Sequence, residues 1–439
     1  MKTDHDSFLD ALPDGWSFDR FKDVALLRGE KTDEASAEED YLELEDLESA
    51  TGRILGRRNT LDVGSAVTLF KQGDVLFGKL RPYLEKFYLA EFDGKCTGEI
   101  LAFKPERIKG RFLFYCLASR WFIERCNAFA YGAKMPRVNW PTQLAQFNLP
   151  LPPLPEQQRI AAYLDASCAA TDAAVAAKRR QLETLESLRR TIIAQTVTKG
   201  LNGEAELRDS GVEWFGQIPK HWRCEHLKRF ATRIQTGCTP PTDTPDYYFD
   251  GTIPWFAPGS YDGDIELREA RKLINELARR EGVLRMFPAE TLFLVGIGAT
   301  IGKVGLIRQE AACNQQIIGI VSNHRMLGRY LAYQFKIYED VIPGIASATT
   351  LPIFDQVKTG YLPTLQPPCA EQEAICAFLD EKLAELKRLV AGIESQIVTL
   401  TAYRKSLIHE CVTGQRRVTE EDLQRAGRAG SICPVEHRP

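Results

Sequence analysis

One phrase of this 439-residue chain occurs twice, and each time it opens a long helical pattern. Leu154-Pro155-Glu156-Gln157-Gln158-Arg159-Ile160-Ala161-Ala162-Tyr163-Leu164-Asp165 returns as Cys369-Ala370-Glu371-Gln372-Glu373-Ala374-Ile375-Cys376-Ala377-Phe378-Leu379-Asp380. The offset is a constant 215 (371 − 156, 375 − 160 and 379 − 164). Arg190-Thr191-Ile192-Ile193 to Val197-Thr198 maps onto Lys405-Ser406-Leu407-Ile408 to Val412-Thr413 at the same offset. Upstream, Leu12-Pro13-Asp14-Gly15-Trp16 is answered by Ile218-Pro219-Lys220-His221-Trp222. Solenoid repeats recur roughly every 20–50 residues. A period this long marks instead a domain plus a helix, duplicated. Such a chain is pseudo-twofold, which suits a pseudo-twofold or bipartite target.

The second helix carries a heptad stripe. Leu379, Leu383, Leu386, Val390, Ile393, Ile397, Leu400, Arg404, Leu407 and Cys411 follow one another alternately four and three apart. Sustained over more than four heptads, that spacing predicts a coiled-coil seam. Subtracting 215 gives the stripe of the first helix: Leu164, Cys168, Thr171, Val175, Lys178, Leu182, Leu185, Arg189, Ile192 and Thr196. It is less apolar, but Arg189 answers Arg404, so even the interruption is shared. Two helices related by a twofold would pack antiparallel. From Pro155 to Val197 the first would be about 65 Å long, a ruler between two globular domains. Long core helices of a single large enzyme are the alternative, and they leave the strict stripe unexplained.

The rest of the chain falls into place around these helices. Expected boundaries are a first mixed α/β domain over 1–153, a long helix over 154–200, a second domain over 201–368, a second long helix over 369–415, and a loosely ordered tail over 416–439. Val75-Leu76-Phe77, Phe87 to Ala90, Ile100 to Phe103, Ile253 to Phe256, Thr291 to Val295 and Ile317 to Val321 read as strands bounded by turn residues. Arg111 to Cys126 and Arg329 to Tyr338 read as matching helices. Pro-rich segments, Asn148 to Pro155 and Tyr361 to Pro368, lead into the long helices as stiff connectors.

Composition narrows the functional classes. The net charge of −3 argues mildly against a free-standing, nonspecific nucleic-acid binder. Charge is uneven, however: Glu30 to Glu48 is acidic, while Arg268, Arg271, Lys272, Arg279, Arg280 and Arg285 form a basic stretch. Such patches bind phosphates locally, especially where partner subunits add positive charge. Eleven cysteines without a Cys-x-x-Cys pair fit reduced, mostly buried thiols of a cytosolic protein. No apolar run is long enough for a membrane span, and the N-terminus has no signal-peptide pattern. His221, Cys224 and His226 lack a fourth ligand at zinc-like spacing, so no metal is expected.

Catalytic motifs fail one by one. Gly73 to Lys79 fits a P-loop until Leu80 stands where Ser or Thr would hold magnesium, and a turn glycine before a strand is the better account. Gly296-Ile297-Gly298-Ala299-Thr300-Ile301-Gly302 breaks the dinucleotide fingerprint at Ile301. Pro152-Pro153-Leu154 and Pro367-Pro368-Cys369 do not match the base-clamping loop of a DNA methyltransferase. Asp380, Glu385 and Lys387 read as solvated helix charges rather than a nuclease site. No nucleophile–base pair stands out.

Further motifs complete a pattern. Gln235-Thr236-Gly237-Cys238-Thr239-Pro240 precedes Gly251-Thr252-Ile253-Pro254-Trp255-Phe256. Ala299 to Gly305 precedes Cys313-Asn314-Gln315-Gln316, and the first half has Phe77-Gly78-Lys79-Leu80-Arg81-Pro82-Tyr83-Leu84. With the twice-used Glu-Gln helix opening, this resembles the specificity subunit of type I restriction–modification enzymes over about residues 12 to 415. Cys369-Ala370 departs from the Leu-Pro expected before the second Glu-Gln.

The resemblance implies an α+β fold: two pseudo-symmetric mixed α/β target-recognition domains separated by two long antiparallel coiled-coil helices. It implies a noncatalytic, cytoplasmic prokaryotic protein that reads a bipartite double-stranded DNA sequence, one half-site per domain. Chemistry would belong to partners: two methylation subunits carrying S-adenosylmethionine, and restriction subunits using ATP and Mg. This chain itself would bind no cofactor. Base reading needs donors and acceptors on loops, and phosphate contacts need cations. The candidates are Lys79, Arg81, Lys86, Lys134 and Arg137 in the first domain. In the second they are Thr239, Thr300, Lys303, Asn314, Gln315, Thr349 and Thr350, with Thr350 answering Lys134. For each, a solvated charge or a loop hydrogen bond is the alternative. Tyr83 and Trp255 are expected in the core. The helix positions Leu164, Val175, Leu182, Leu185, Ile192, Leu379, Leu383, Leu386, Val390, Ile393, Ile397, Leu400 and Leu407 are expected to form the coiled coil and to dock subunits. Two readings compete: a noncatalytic coiled-coil scaffold that binds protein alone, and a specificity module of a related modification-only defence system.

Overall fold

The computed structural model describes residues 12–33, 40–59, 66–346 and 353–431. The chain divides into two compact units, residues 1–179 with 393–439, and residues 180–392. Each unit therefore combines one mixed domain with the N-terminal part of one long helix and the C-terminal part of the other. The fold is α+β and duplicated.

Both domains are built on the same sheet. In the first, Ala25–Leu27, Ile100–Pro105, Val75–Gly78 and Phe87–Leu89 lie side by side, all antiparallel. In the second, Ala231–Thr236, Ile317–Ser322, Leu292–Val295 and Val304–Ile307 take the same order, extended by a parallel edge strand, Glu266–Leu267. The register repeats too. Phe77 pairs with Leu101 and Phe87, and Leu294 pairs with Ile318 and Val304, a shift of 217 throughout (294 − 77, 318 − 101, 304 − 87). A smaller sheet follows in each domain, where Tyr41–Leu42 runs parallel to Gly94–Cys96 and Ile253–Phe256 runs parallel to Ala311–Cys313.

Helices cover the main sheet. The first domain has two, Gly110–Ala118 and Arg120–Phe129, where the apolar periodicity predicts one. Ser119 explains the break: its backbone is extended, and its hydroxyl accepts from the Phe122 N–H as an N-cap. In the second domain Gly328–Phe335 is likewise followed by a separate helix, Tyr338–Ile345. Phe21, Phe77 and Phe103 are fully buried with Phe122 of the second helix in the first domain's core, each stabilising by about 2 kcal/mol.

The long helices are Leu154–Lys199 and Cys369–Val412, of 46 and 44 residues, the first about 69 Å in length. Every position of both heptad stripes is buried or half-buried. Within the first unit Arg159 meets the Val418 carbonyl and Glu420, and Asp172 meets Arg404. Partner numbers fall as residue numbers rise, so the two segments are antiparallel. The shared arginines are struts. Arg404 Nη1 donates to the Ala50 carbonyl at 2.8 Å, and Arg189 Nη2 donates to the Gly263 carbonyl at 2.8 Å. Each braces a turn whose residue has positive φ. Gly200 and Gly414, both left-handed, end the helices. Gly200 packs on Trp222 and Gly414 on Pro13 and Trp16, each inside its own unit.

The repeated Glu-Gln phrase is a clasp. Gln157 Oε1 accepts from the Lys109 N–H and its Nε2 donates to the Pro152 carbonyl. Gln372 does the same with the Leu327 N–H and with the Arg325 and Pro367 carbonyls. Just over two turns on, Asp165 accepts from Arg111 and Tyr115 at 2.6 Å each. Asp380 accepts from Arg329 at 2.8 and 2.9 Å and from Tyr333. Asp380 is thus a structural acceptor, not the solvated helix charge that local spacing suggested. Its partners come from 47 and 51 residues away.

The tail also differs from expectation. Glu420–Ser431 is a helix, capped by mutual bonds between Thr419 and Asp422, with Leu423 and Ala426 packed on the first core. Its apolar content is too sparse for periodicity to reveal it. His221 pairs with Glu371, and His226 with the Tyr361 carbonyl. Among the described residues no cluster of His, Cys, Asp and Glu is arranged to hold a metal. Among the same residues no helix is long and apolar enough to cross a membrane.

Gln372→Leu leaves a buried N–H and two carbonyls unsatisfied and is expected to destabilise the chain by about 2–4 kcal/mol. A lowered urea midpoint, set against an unchanged one for the exposed Gln195→Ala, checks this. Burial pushes the Cys96 and Cys376 thiols up to about 12, whereas Cys369 is exposed. A maleimide at pH 8 should therefore label Cys369 in seconds to minutes and spare Cys96 and Cys376 until the protein unfolds, as peptide mapping would report.

Candidate nucleic-acid interface

One end of each main sheet gathers most of the sequence-predicted site residues. In the first domain the Val75–Gly78/Phe87–Leu89 hairpin closes through residues 79–86. The Lys79 N–H donates to the Glu99 carbonyl just before Ile100–Pro105, and the Lys79 carbonyl accepts from Val138. Leu80 bridges Arg137, and the Arg81 N–H donates to the Pro136 carbonyl. Residues 131–137 form a small hairpin closed by Tyr131 and Arg137, with Lys134 exposed at its tip.

The second domain repeats three of these contacts. The Gly296 N–H donates to the Gln316 carbonyl, the Gly296 carbonyl accepts from Phe354, and Ile297 bridges Ile353. Shifted by 217, Arg81 answers Gly298, Tyr83 answers Thr300 and Glu85 answers Gly302. All four flanking residues have positive φ: 50° and 53° in the first domain, 103° and 91° in the second. Arg81 and Glu85 thus hold a left-handed backbone that suits glycine, at about 1–2 kcal/mol each. Tyr83, between them, is 52% exposed rather than in the core, because this loop turns it outward. Trp255 is buried, as expected.

The candidate side chains divide by what already holds them. Arg137 is paired with Glu99 at 3.1 and 3.3 Å, which raises its guanidinium pKa further. The Lys86 ammonium donates to the Leu47 carbonyl. Asn314 is buried, and its amide is bonded to Gln316. These three build the loops. Arg81 reaches the Lys134 carbonyl at 3.5 Å while its Nε is buried without a partner. Lys79 and Thr300 are half-buried, and Lys134, Lys303, Thr239 and Gln315 are exposed. Thr349 and Thr350 lie outside the described residues.

Thr239 and Gln315 come together from 76 residues apart, the Thr239 hydroxyl donating to Gln315 Oε1 at 2.6 Å. Their approach depends on Gly237, where an added Cβ would lie 2.1 Å from the Cys313 carbonyl oxygen. Arg285, on the same rim, donates from Nη1 to the Thr236 carbonyl at 2.8 Å, and its N–H meets Cys238 Sγ. It belongs to the basic stretch but was not among the predicted contacts. Its nearness to Thr236 follows from strand pairing, which a single sequence does not display. The ensemble offers hydrogen-bond donors and acceptors on turns, with cations beside them.

Gly237→Ala is expected to destabilise the protein by about 3 kcal/mol, while Gly98→Ala, with open space at the position equivalent to Gln315, should change little. Thermal midpoints of the two variants check this directly.

Comparison with known proteins follows the same two halves. A family model described as type I restriction modification DNA specificity domain matches residues 13–184 and again 219–398. The chain is 28% identical over 221 residues to the specificity subunit of the type I restriction enzyme EcoDI of Escherichia coli, which is 50% of this chain and 46% of that one. It thus spans less than half the length of that relative. It is 24% identical over 365 residues to the putative MjaX specificity subunit of Methanocaldococcus jannaschii, 79% of each chain. Two solved structures share the fold. One comes from work on complex assembly and conformational transition of the type I R-M system, with a TM-score of 0.73 at 19% identity over 92% of this chain and 99% of that one. The other is the HsdS subunit of Thermoanaerobacter tengcongensis, with a TM-score of 0.51 at 18% identity, covering 92% and 98%.

Proposed function

The chain belongs to the type I restriction modification DNA specificity family, and we propose that it is a noncatalytic subunit reading a bipartite double-stranded DNA target. Each domain reads one half-site with the loop end of its main sheet. The long helices set the spacer and dock two methylation subunits, which bring S-adenosylmethionine. Restriction subunits bring ATP and Mg. The complex works in the prokaryotic cytoplasm.

One observation carries this reading: a single scaffold occurs twice, its central strands in the same register, with different side chains at its loop tips. Tyr83 stands where the second domain has Thr300, and Gly98 where it has Gln315. Identical frames with different tips suit two readers of two different sequences. Phosphate contacts fix a protein on the duplex, whereas base edges supply the specificity. Lys134 and Lys303, exposed and at the tips, are assigned to phosphates. Thr239 and Gln315 are assigned to bases, with Lys79, Arg81 and Thr300 beside them.

Cells carrying the chain with its methylation subunit are expected to show one bipartite methylated motif by methylome sequencing. Exchanging residues of about 15 to 150 should alter one half-site alone, and lengthening both helices should alter only the spacer. A complex with no sequence-dependent methylation would instead favour a protein-binding scaffold, and methylation without any cognate nuclease a modification-only system. Lys134→Ala should weaken DNA binding about equally on all sequences and reduce the slope of log K against log salt by about 1.

A further inference from the structure

We infer that Gln315 reads an adenine in the second half-site, with its amide set in place by Thr239. This rests on the specificity-subunit reading and names a residue and a base within it. The turn that carries Gln315 is locked on both sides. The Asn314 N–H donates to the Phe256 carbonyl at 3.0 Å, and the Asn314 carbonyl accepts from Ile317 at 3.2 Å. Asn314 Oδ1 accepts from the Gln316 N–H at 3.1 Å and Asn314 Nδ2 donates to Gln316 Oε1 at 2.8 Å. Both neighbours are thereby committed to the fold. Gln315, exposed between them, is held among the described residues by Thr239.

That one bond decides what the amide presents. With the Thr239 hydroxyl on Oε1, a second lone pair of Oε1 and both hydrogens of Nε2 are left over on an exposed side chain. An acceptor and a donor side by side match the N6–H and N7 of adenine in the major groove, and no other base edge offers that pair there. A glutamine already held on a rigid turn loses less side-chain freedom on binding than a free one. Arg285 supplies the neighbouring cation, fixed by its bond to the Thr236 carbonyl, where a backbone phosphate would lie. The equivalent turn of the first domain presents Gly98, with open space around it. The first half-site is therefore read without this contact.

The test uses the whole complex with its methylation subunit, comparing wild type with Gln315→Ala, Gln315→Glu, Thr239→Ala and Arg285→Ala by methylome sequencing. Gln315→Ala should make one A·T pair of the second half-site degenerate and leave the first half-site intact. Competition binding with duplexes substituted at that position should lose about ten- to hundred-fold of discrimination. Gln315→Glu, an acceptor only, should move the preference from adenine towards cytosine. Thr239→Ala should relax the same position less, and Arg285→Ala should lower binding with the motif unchanged. An unchanged motif in Gln315→Ala and Gln315→Glu overturns the inference. So does relaxation at a G·C pair or in the first half-site, or a loss of binding that leaves base preference as it was. A wild-type complex without a bipartite motif would fail the specificity-subunit reading itself, a separate result.

Discussion

Two buried glutamine amides, Gln157 and Gln372, join each domain to its helix, and everything downstream depends on their direction. Apolar burial around the helix starts is larger in energy: Ile160, Leu164, Ile375 and Leu379 are essentially fully buried. Such burial is non-directional, however, and would tolerate several rotations of the helix about its axis. Each amide meets a fixed N–H and a fixed carbonyl from the domain, so only one rotation satisfies it. A turn of one residue, about 100°, would swing the heptad stripe away from its partner. Asp165 and Asp380, eight residues later in each helix, repeat the constraint with a charge-assisted bond to Arg111 or Arg329. The stripe faces correctly because these groups hold it, not because leucines prefer that side.

With the frame held, variation is confined to the tips. Core pairs such as Phe77 with Leu101 and Leu294 with Ile318 keep register across the duplication, because a one-residue slip would turn each strand inside out. Loop tips carry no such penalty. The left-handed positions at Arg81 and Glu85 show how far this freedom extends. The backbone path of Gly298 and Gly302 is retained although the side chains no longer favour it. Beside the backbone bond to the Pro136 carbonyl, which any residue there would make, the Arg81 side chain adds a hold on the 131–137 hairpin through the Lys134 carbonyl. Conformational strain in one loop thus stabilises the position of the next.

What was legible in the sequence was what repeats or oscillates. The duplication, the two long helices and the heptad stripe could be read because each is a periodic pattern along the chain. Contacts between distant residues could not. Asp380 read as a solvated charge because Arg329 and Tyr333 are out of local view, and the pairing of Arg137 with Glu99 stayed hidden because the two are 38 residues apart. Ser119, which divides one apparent helix into two, was invisible for another reason: apolar residues on both sides stay in helical phase across it. The candidate interface was half legible. Lys134, Lys303, Thr239 and Gln315 could be chosen by residue type and motif, but the Thr239–Gln315 bond and the placement of Arg285 depend on strand pairing.

Charge then bears on how such a chain would use its tips. Its net charge is −3, and many arginines are already paired, such as Arg58 with Asp46, Arg279 with Glu310 and Arg329 with Asp380. The exposed pair, Arg279 with Glu310, adds little stability, about 0–1 kcal/mol; what all three do is remove cations from the reach of phosphate. Nonspecific affinity for DNA rises with the number of phosphates neutralised, so each arginine held by a carboxylate subtracts from the grip of the chain by itself. Under the proposed function this is an advantage. A reader that bound DNA tightly through its own charge would occupy every sequence, and the few kilocalories per base from contacts like Gln315 would be swamped by competing sites. Leaving the grip to partner subunits keeps recognition in the tips, where the two domains differ.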